Sequence, residues 1–127
     1  MTQKLKVAAA QMEPRLMQVE DNLQTMERYV KEAGSQAVEL LVFPECSLTG
    51  YMFDSREEAV PFAESVPGPG TERMAALSRS HSMYVAFGLL ERADGWLFNT
   101  LVLLGPEGDM WSYRKKHLPF QGVDRFV

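Results

Sequence analysis

Leu41-Val42-Phe43-Pro44-Glu45 is the stretch on which the reading of this chain turns. An apolar run meets a proline, which cannot continue a strand ladder, and an acid follows at once. Residues 38–43 therefore read as a short buried strand that delivers Glu45 just beyond its end. Upstream, Leu23, Met26, Val30 and Ala33 recur at helical spacing within residues 20–34, with charges on the other face and Gly34-Ser35 as the stop. Before that helix, residues 5–12 read as another buried strand, uncharged from Val7 to Met12. Strand, helix and strand in so short a span predict a right-handed crossover unit.

Working downstream, Ser55-Arg56-Glu57-Glu58 has capping-box spacing and opens a short helix toward Ala63. Pro67-Gly68-Pro69-Gly70 reads as loop, and Thr71 as the cap of a helix through His81 with Met74 and Leu77 on its buried side. Residues 84–90 and 98–104 are apolar strands around an Asp94-Gly95 turn. The tight turn Gly105-Pro106-Glu107-Gly108 then leads into a strand over residues 110–115. The pattern is α/β, a layered sheet with helices on its outer face. No repeat, low-complexity stretch or linker divides residues 1–127, which are expected to belong to one domain.

The 127 residues are 46% hydrophobic and 24% charged, enough to build a core and too little charge for extensive disorder. A net charge of -4 argues against a nucleic-acid or anionic-membrane surface. The apolar stretch Val7-Ala8-Ala9-Ala10 is too short for a signal-peptide core or a membrane span. Cys46 is the single cysteine, so no internal disulfide framework is possible, and a reducing, cytoplasmic setting is expected. With His81 and His117 as the only histidines and no acid at ligand spacing, no metal site is expected.

Two residues stand out chemically. Glu45 lies where α/β folds build sites, and partial desolvation there favours a usable base; position alone fits an exposed loop glutamate that caps a neighbouring group better. Strand parity puts Trp111, Tyr113 and Lys115 on one face and Ser112, Arg114 and Lys116 on the other. Lys115 is thus the inward ammonium, or a lysine snorkelling over apolar surface, while Arg114 and Lys116 read as solvated. His117 reads as a structural hydrogen-bonding residue, and His81 as a partner of the last carbonyls of its helix. Cys46 follows Glu45 directly. Neighbours in extended chain point opposite ways, and a carboxylate would raise the thiol pKa, so Cys46 reads as a small buried hydrophobe. Tyr51 and Phe53 fit either a pocket mouth or the core.

Several ordered segments resemble one family. Val7-Ala8-Ala9-Ala10-Gln11-Met12 is similar to its first strand and Asn22-Leu23 to its first helix. Leu41-Val42-Phe43-Pro44-Glu45 with Leu48-Thr49-Gly50-Tyr51 resembles its glutamate motif, Asn99-Thr100 with Gly105-Pro106-Glu107-Gly108 its central hairpin, and Tyr113-Arg114-Lys115-Lys116-His117-Leu118 its lysine motif. This is the nitrilase superfamily of carbon-nitrogen hydrolases. The resemblance implies an αββα-sandwich fold, about half of it present as the amino-terminal part of one domain. It also implies a Glu-Lys-Cys site with Glu45 as general base and Lys115 as oxyanion stabiliser. The nucleophilic cysteine comes on a later strand, beyond Val127. A second carboxylate after the lysine motif matches Asp124, and Tyr51 is a further supporting residue. The implied substrate is a small-molecule amide or N-carbamoyl compound, less readily a nitrile, hydrolysed through a thioester without metal or organic cofactor. A homo-oligomer is implied too. A catalytically inactive module of the same fold, acting through assembly, is the alternative.

Overall fold

Helix α1 (Val19–Ser35) forms where the apolar spacing requires it, and Leu23, Met26, Val30 and Ala33 are all buried. Glu20 and Asp21 occupy its first turn, where the helix dipole favours negative charge. It stops where the Gln36 N–H returns to the Ala33 carbonyl and the Ala37 N–H to that of Gly34, with Ala37 in the left-handed region at φ 57°. These features come from a computed structural model that describes residues 2–127.

Five strands form one sheet in the order β1 (Val7–Ala9), β2 (Leu40–Val42), β3 (Tyr84–Ala93), β4 (Trp96–Leu104), β5 (Met110–Arg114). The first three run parallel, with α1 joining β1 to β2. Two further helices, α2 (Arg56–Ala59) and α3 (Pro69–Ser80), lie between β2 and β3. From β3 onward the strands are antiparallel hairpins, as their tight turns demand. The predicted strand over residues 5–12 shrinks to β1, an edge strand whose Val7 is exposed rather than buried.

Local chemistry sets the shorter elements. The Ser55 side chain caps α2 by accepting from Glu58 N–H, and Glu58 reaches back to the N–H of Asp54. The α3 helix begins earlier than its sequence suggests. Pro69 occupies the first turn, where its missing N–H costs nothing, so the segment read as loop is partly helical. Thr71 is consequently not the N-cap; three residues in, its hydroxyl exchanges hydrogen bonds with the backbone of Gly68.

Alternation divides the sheet into two unlike faces. Leu41, Val85, Phe87, Leu89, Val102 and Leu104 share a core with Leu23, Met26 and Val30 of α1 and Met74 of α3. On the opposite face Val7, Val42, Tyr84, Leu101, Trp111 and Tyr113 are exposed. Only one end of that face is covered, where Leu90 and Leu97 pack with Cys46, Phe53, Ala59, Ala63 and Val123. One helix layer on one sheet is half of the expected αββα sandwich.

Arg114 is exposed, as expected, but it is not free: it is half of an ion pair the sequence did not reveal. Parity does place it opposite Lys115, but its guanidinium holds the buried Glu91 carboxylate in two contacts, at 2.6 and 3.0 Å, and stacks 3.8 Å from the Phe98 ring centroid. Thr100 Oγ1 donates to the same carboxylate, because a buried charge needs partners. Lys116 is exposed as expected. His117 is exposed as well and has no side-chain partner among the described residues, unlike its predicted structural role. His81 ends α3 with its backbone N–H on the Leu77 carbonyl, while its ring packs against Gly34.

The two faces should respond differently to truncation. Phe87→Ala empties a fully buried site and is expected to cost about 3–5 kcal/mol in urea unfolding. Leu101→Ala, on the bare face, is expected to cost less than about 1 kcal/mol.

Candidate active site

Glu45 is carried out over the bare face of the sheet by the turn that follows β2. Phe43 N–H donates to the Ala86 carbonyl at 2.8 Å, and Gly88 N–H donates to the Pro44 carbonyl and to Ser47 Oγ, both at 3.3 Å. Gly88 is required by this crossing, since a Cβ there would lie 2.5 Å from the Cys46 nitrogen and 2.9 Å from Glu45 Cα. From behind, the buried Asn22 of α1 donates to the Leu48 and Arg15 carbonyls and accepts from Arg15 N–H. Cys46 adopts φ 48°, in the left-handed region. The turn, not extended backbone, therefore sends Glu45 and Cys46 in different directions.

Lys115 reaches the same place from β5. Its backbone N–H donates to the Asn99 carbonyl at 2.8 Å, which extends the ladder by one residue and keeps Lys115 on the face of Trp111 and Tyr113. Its Nζ donates to Glu45 Oε1 at 2.7 Å and to Asp124 Oδ2 at 2.6 Å. Asp124 belongs to a 3₁₀ turn, Gly122–Arg125. That turn is pinned by Val123 N–H on the Tyr51 carbonyl, and Gly122, at φ 51°, lets the Tyr51 ring lie against it.

Asn99 of β4 completes the cluster. Its Nδ2 donates to Glu45 Oε1 at 2.6 Å and to Asp124 Oδ1 at 2.9 Å. The Tyr51 hydroxyl lies 2.9 Å from Asp124 Oδ2 and 2.9 Å from the Gln121 carbonyl. Both Asp124 oxygens are thus engaged. Glu45 Oε2 accepts no hydrogen bond among the described residues. The Asp124 side chain is 0% exposed and that of Glu45 46%, so the glutamate is less desolvated than its sequence position suggests.

The charges are strongly coupled. Burial pushes the Asp124 pKa up, but hydrogen bonds from Asn99, Lys115 and Tyr51 outweigh it and hold the carboxyl below its ordinary value of 3.8. The Lys115 ammonium is raised above its usual range, chiefly by Asp124 and then by Glu45. Tyr51 is pushed up to about 12 by burial and by its hydrogen bond to Asp124. Burial, reinforced by the charges of Glu45 and Asp124, pushes the Cys46 thiol up. Cys46 is fully buried and its Sγ lies 3.7 Å from Asn99 Oδ1, so it is a thiol packed with Phe53, Leu90 and Leu97, as the sequence suggested.

Glu45 borders two clefts. One, of about 310 Å³, lies along the sheet over Gly88, Asn99, Leu101, Tyr113 and Lys115. The other, of about 700 Å³, lies toward Glu13, Leu16, Tyr51 and Met52. The structure brings all four sequence candidates, Glu45, Lys115, Asp124 and Tyr51, into one cluster. Phe53 is core instead of pocket wall. Asn99 was missed as a site residue, though it is a buried amide in the apolar run of β4 and in cross-strand register with Lys115. No group of three or more residues able to hold a metal ion occurs among the described residues. No helix among them is long and apolar enough to cross a membrane.

The family model for carbon-nitrogen hydrolases matches residues 6–127. A nitrilase from Pyrococcus abyssi is 36% identical over 115 residues, covering 90% of this chain and 44% of the relative. The human omega-amidase NIT2 is 31% identical over 100 residues, covering 77% of this chain and 35% of its own. Among solved structures, an N-terminal amidase with a Gln-Val peptide superposes with a TM-score of 0.83 at 27% identity, over 92% of this chain and 29% of that one. The chain thus spans less than half the length of the relatives it matches.

Two outcomes test this cluster. Lys115→Ala leaves the Asp124 carboxylate buried without its cation and is expected to cost about 3 kcal/mol or more in chemical unfolding. Asp124 should also imprint a pH dependence. Its folded pKa is depressed, so its stabilisation is complete above about pH 4 and is lost as pH falls through the folded value. Unfolding measured from about pH 6 down to about pH 2 should show a shallower loss in Asp124→Asn than in the unsubstituted chain.

Proposed function

Because the chain belongs to the carbon-nitrogen hydrolase family, we propose that its residues 1–127 form the amino-terminal part of one hydrolase domain that cleaves a non-peptide carbon-nitrogen bond in a small molecule. The observation that carries this reading is the Glu45–Lys115 pair at 2.7 Å, standing at the cleft with one carboxylate oxygen unbonded. A free oxygen is what a general base needs, and an ammonium beside it is what a developing oxyanion needs. In this reading the nucleophile is the cysteine that the family resemblance places outside these residues; Cys46, buried and with its thiol pKa pushed up, does not fit that role.

In the proposed reaction Glu45 takes the thiol proton and the thiolate attacks the carbonyl carbon. The resulting oxyanion is stabilised by Lys115, whose attraction grows as negative charge develops. The intermediate collapses to a thioester as Glu45 returns its proton to the departing amine or ammonia. Water then attacks the thioester, Glu45 accepts its proton, and the acid and the thiol are released. Asp124 and Tyr51 keep Lys115 in place throughout. An amide or N-carbamoyl substrate is favoured over a nitrile, and the amidases among the relatives support the amide. A cytoplasmic homo-oligomer is part of the same proposal.

A second reading is favoured by one observation, the absence of any accessible thiol among the described residues. It makes the 127 residues a catalytically inactive module acting through assembly.

An assay of ammonia release separates the two. The 127-residue chain alone is expected to be inactive on primary amides, and measurable turnover would overturn the assignment of the nucleophile. Joined with the segment that supplies the cysteine, it is expected to be active. Glu45→Gln should then lower kcat by about 10²-fold or more, and Lys115→Ala by a similar factor. An unchanged rate in either variant would remove that residue from the mechanism.

A further inference from the structure

Lys115 and Asn99 donate to the same oxygen of Glu45, Oε1, at 2.7 and 2.6 Å, and leave Oε2 without a donor. The two donors are not equivalent. The Lys115 ammonium ends a flexible four-carbon stem, is 31% exposed and divides its contacts between Glu45 and Asp124. Although Asp124 holds it in place, it fixes the direction of the Glu45 carboxylate less tightly than a short buried amide does. Asn99 has only two side-chain torsions, is 5% exposed and is anchored within β4, whose backbone pairs with β3 on one side and Lys115 on the other.

The orientation of the Asn99 amide is determined by its surroundings. Its Nδ2 faces two carboxylates, and its Oδ1 lies 3.7 Å from the Cys46 sulfur, which can only offer it a thiol proton while it stays protonated. A flipped amide would present its carbonyl to both carboxylates and its NH₂ to the thiol, losing two charge-assisted hydrogen bonds. Cys46 thus helps to fix the amide without taking part in chemistry.

We infer that Asn99 is a positioning residue for Glu45, holding Oε1 in a single arrangement so that Oε2 is the oxygen left free. This rests on the reading of Glu45 as the base and deepens it by assigning the two oxygens different tasks, one bound to the scaffold and one open to a proton. A purely structural Asn99 would serve only to satisfy the buried Asp124 and would leave the Glu45 torsions indifferent to it.

The test uses nuclear magnetic resonance on the 127-residue chain, reading the torsion-sensitive couplings of the Glu45 side chain. The unsubstituted chain is expected to show one rotamer. Asn99→Ala and the isosteric Asn99→Asp, which keeps the acceptor toward Cys46 but loses the NH₂ donor, should both show averaging over the staggered wells. Backbone signals of the α1 core should remain in place. A single Glu45 rotamer in either folded variant would overturn the inference, because Lys115 would then suffice. A reciprocal measurement leaves Asn99 intact: in Glu45→Gln the Asn99 side-chain amide resonances should move, and unmoved resonances would equally overturn it. None of these signals requires turnover. Inactivity of the cysteine-supplied enzyme with a restrained Glu45 would therefore count against the proposed reaction, not against the positioning role.

Discussion

One ammonium, that of Lys115, stands between a buried carboxylate and an exposed one, and much of the local architecture follows from that sharing. A fully buried Asp124 is costly unless its charge is compensated and its oxygens are hydrogen-bonded. The chain meets that demand with three groups from three segments: Lys115 past β5, Asn99 within β4 and Tyr51 from the turn after β2. The same convergence leaves Glu45 half-satisfied at the surface. The asymmetry between the two acids is therefore a consequence of burial. One is locked by the scaffold, and the other keeps an oxygen without a donor.

The sheet explains where such a cluster is possible. Its helix-covered face is filled mostly by Leu, Val, Phe and Met side chains, and the ion pair on it, Glu91 with Arg114, sits at the end of the sheet away from that apolar core. The opposite face is bare over most of its area, and the turn carrying Glu45 can lie across β3 there because Gly88 has no side chain. Trp111, Tyr113 and Leu101 surround that position with exposed apolar surface. The chain spans under half the length of its relatives, and the cleft beside Lys115 has a floor of sheet. The proposed nucleophile would have to approach from above this floor.

Much was legible from local pattern. The burial of Leu23, Met26, Val30 and Ala33 follows directly from helical spacing, and the placement of Lys115 beside Tyr113 follows from strand parity. Resemblance to a known family brought Asp124 into consideration, which no local rule singled out. The misses have particular causes. The loop reading of Pro69 overlooks that the first turn of a helix tolerates proline, and the ion pair of the exposed Arg114 is hidden because its partner, Glu91, lies on another strand. Val7 was read as buried because an apolar run does not reveal whether a strand is at an edge.

Local sequence dictates the periodicities, the breaks between elements and the presence of an acid and an ammonium at strand ends, because these depend on neighbours within a turn or two of chain. Tertiary structure alone decided that Glu45, Asn99, Lys115 and Asp124 meet. It also decided that Asp124 is the buried acid and Glu45 the exposed one, and that the thiol of Cys46 faces an amide. Those outcomes depend on groups far apart in the chain, the hydrogen-bonded pairs Glu45–Lys115 and Tyr51–Asp124 being 70 and 73 residues apart. Desolvation and hydrogen bonding act through space, and only the folded sheet brings these groups within reach of one another.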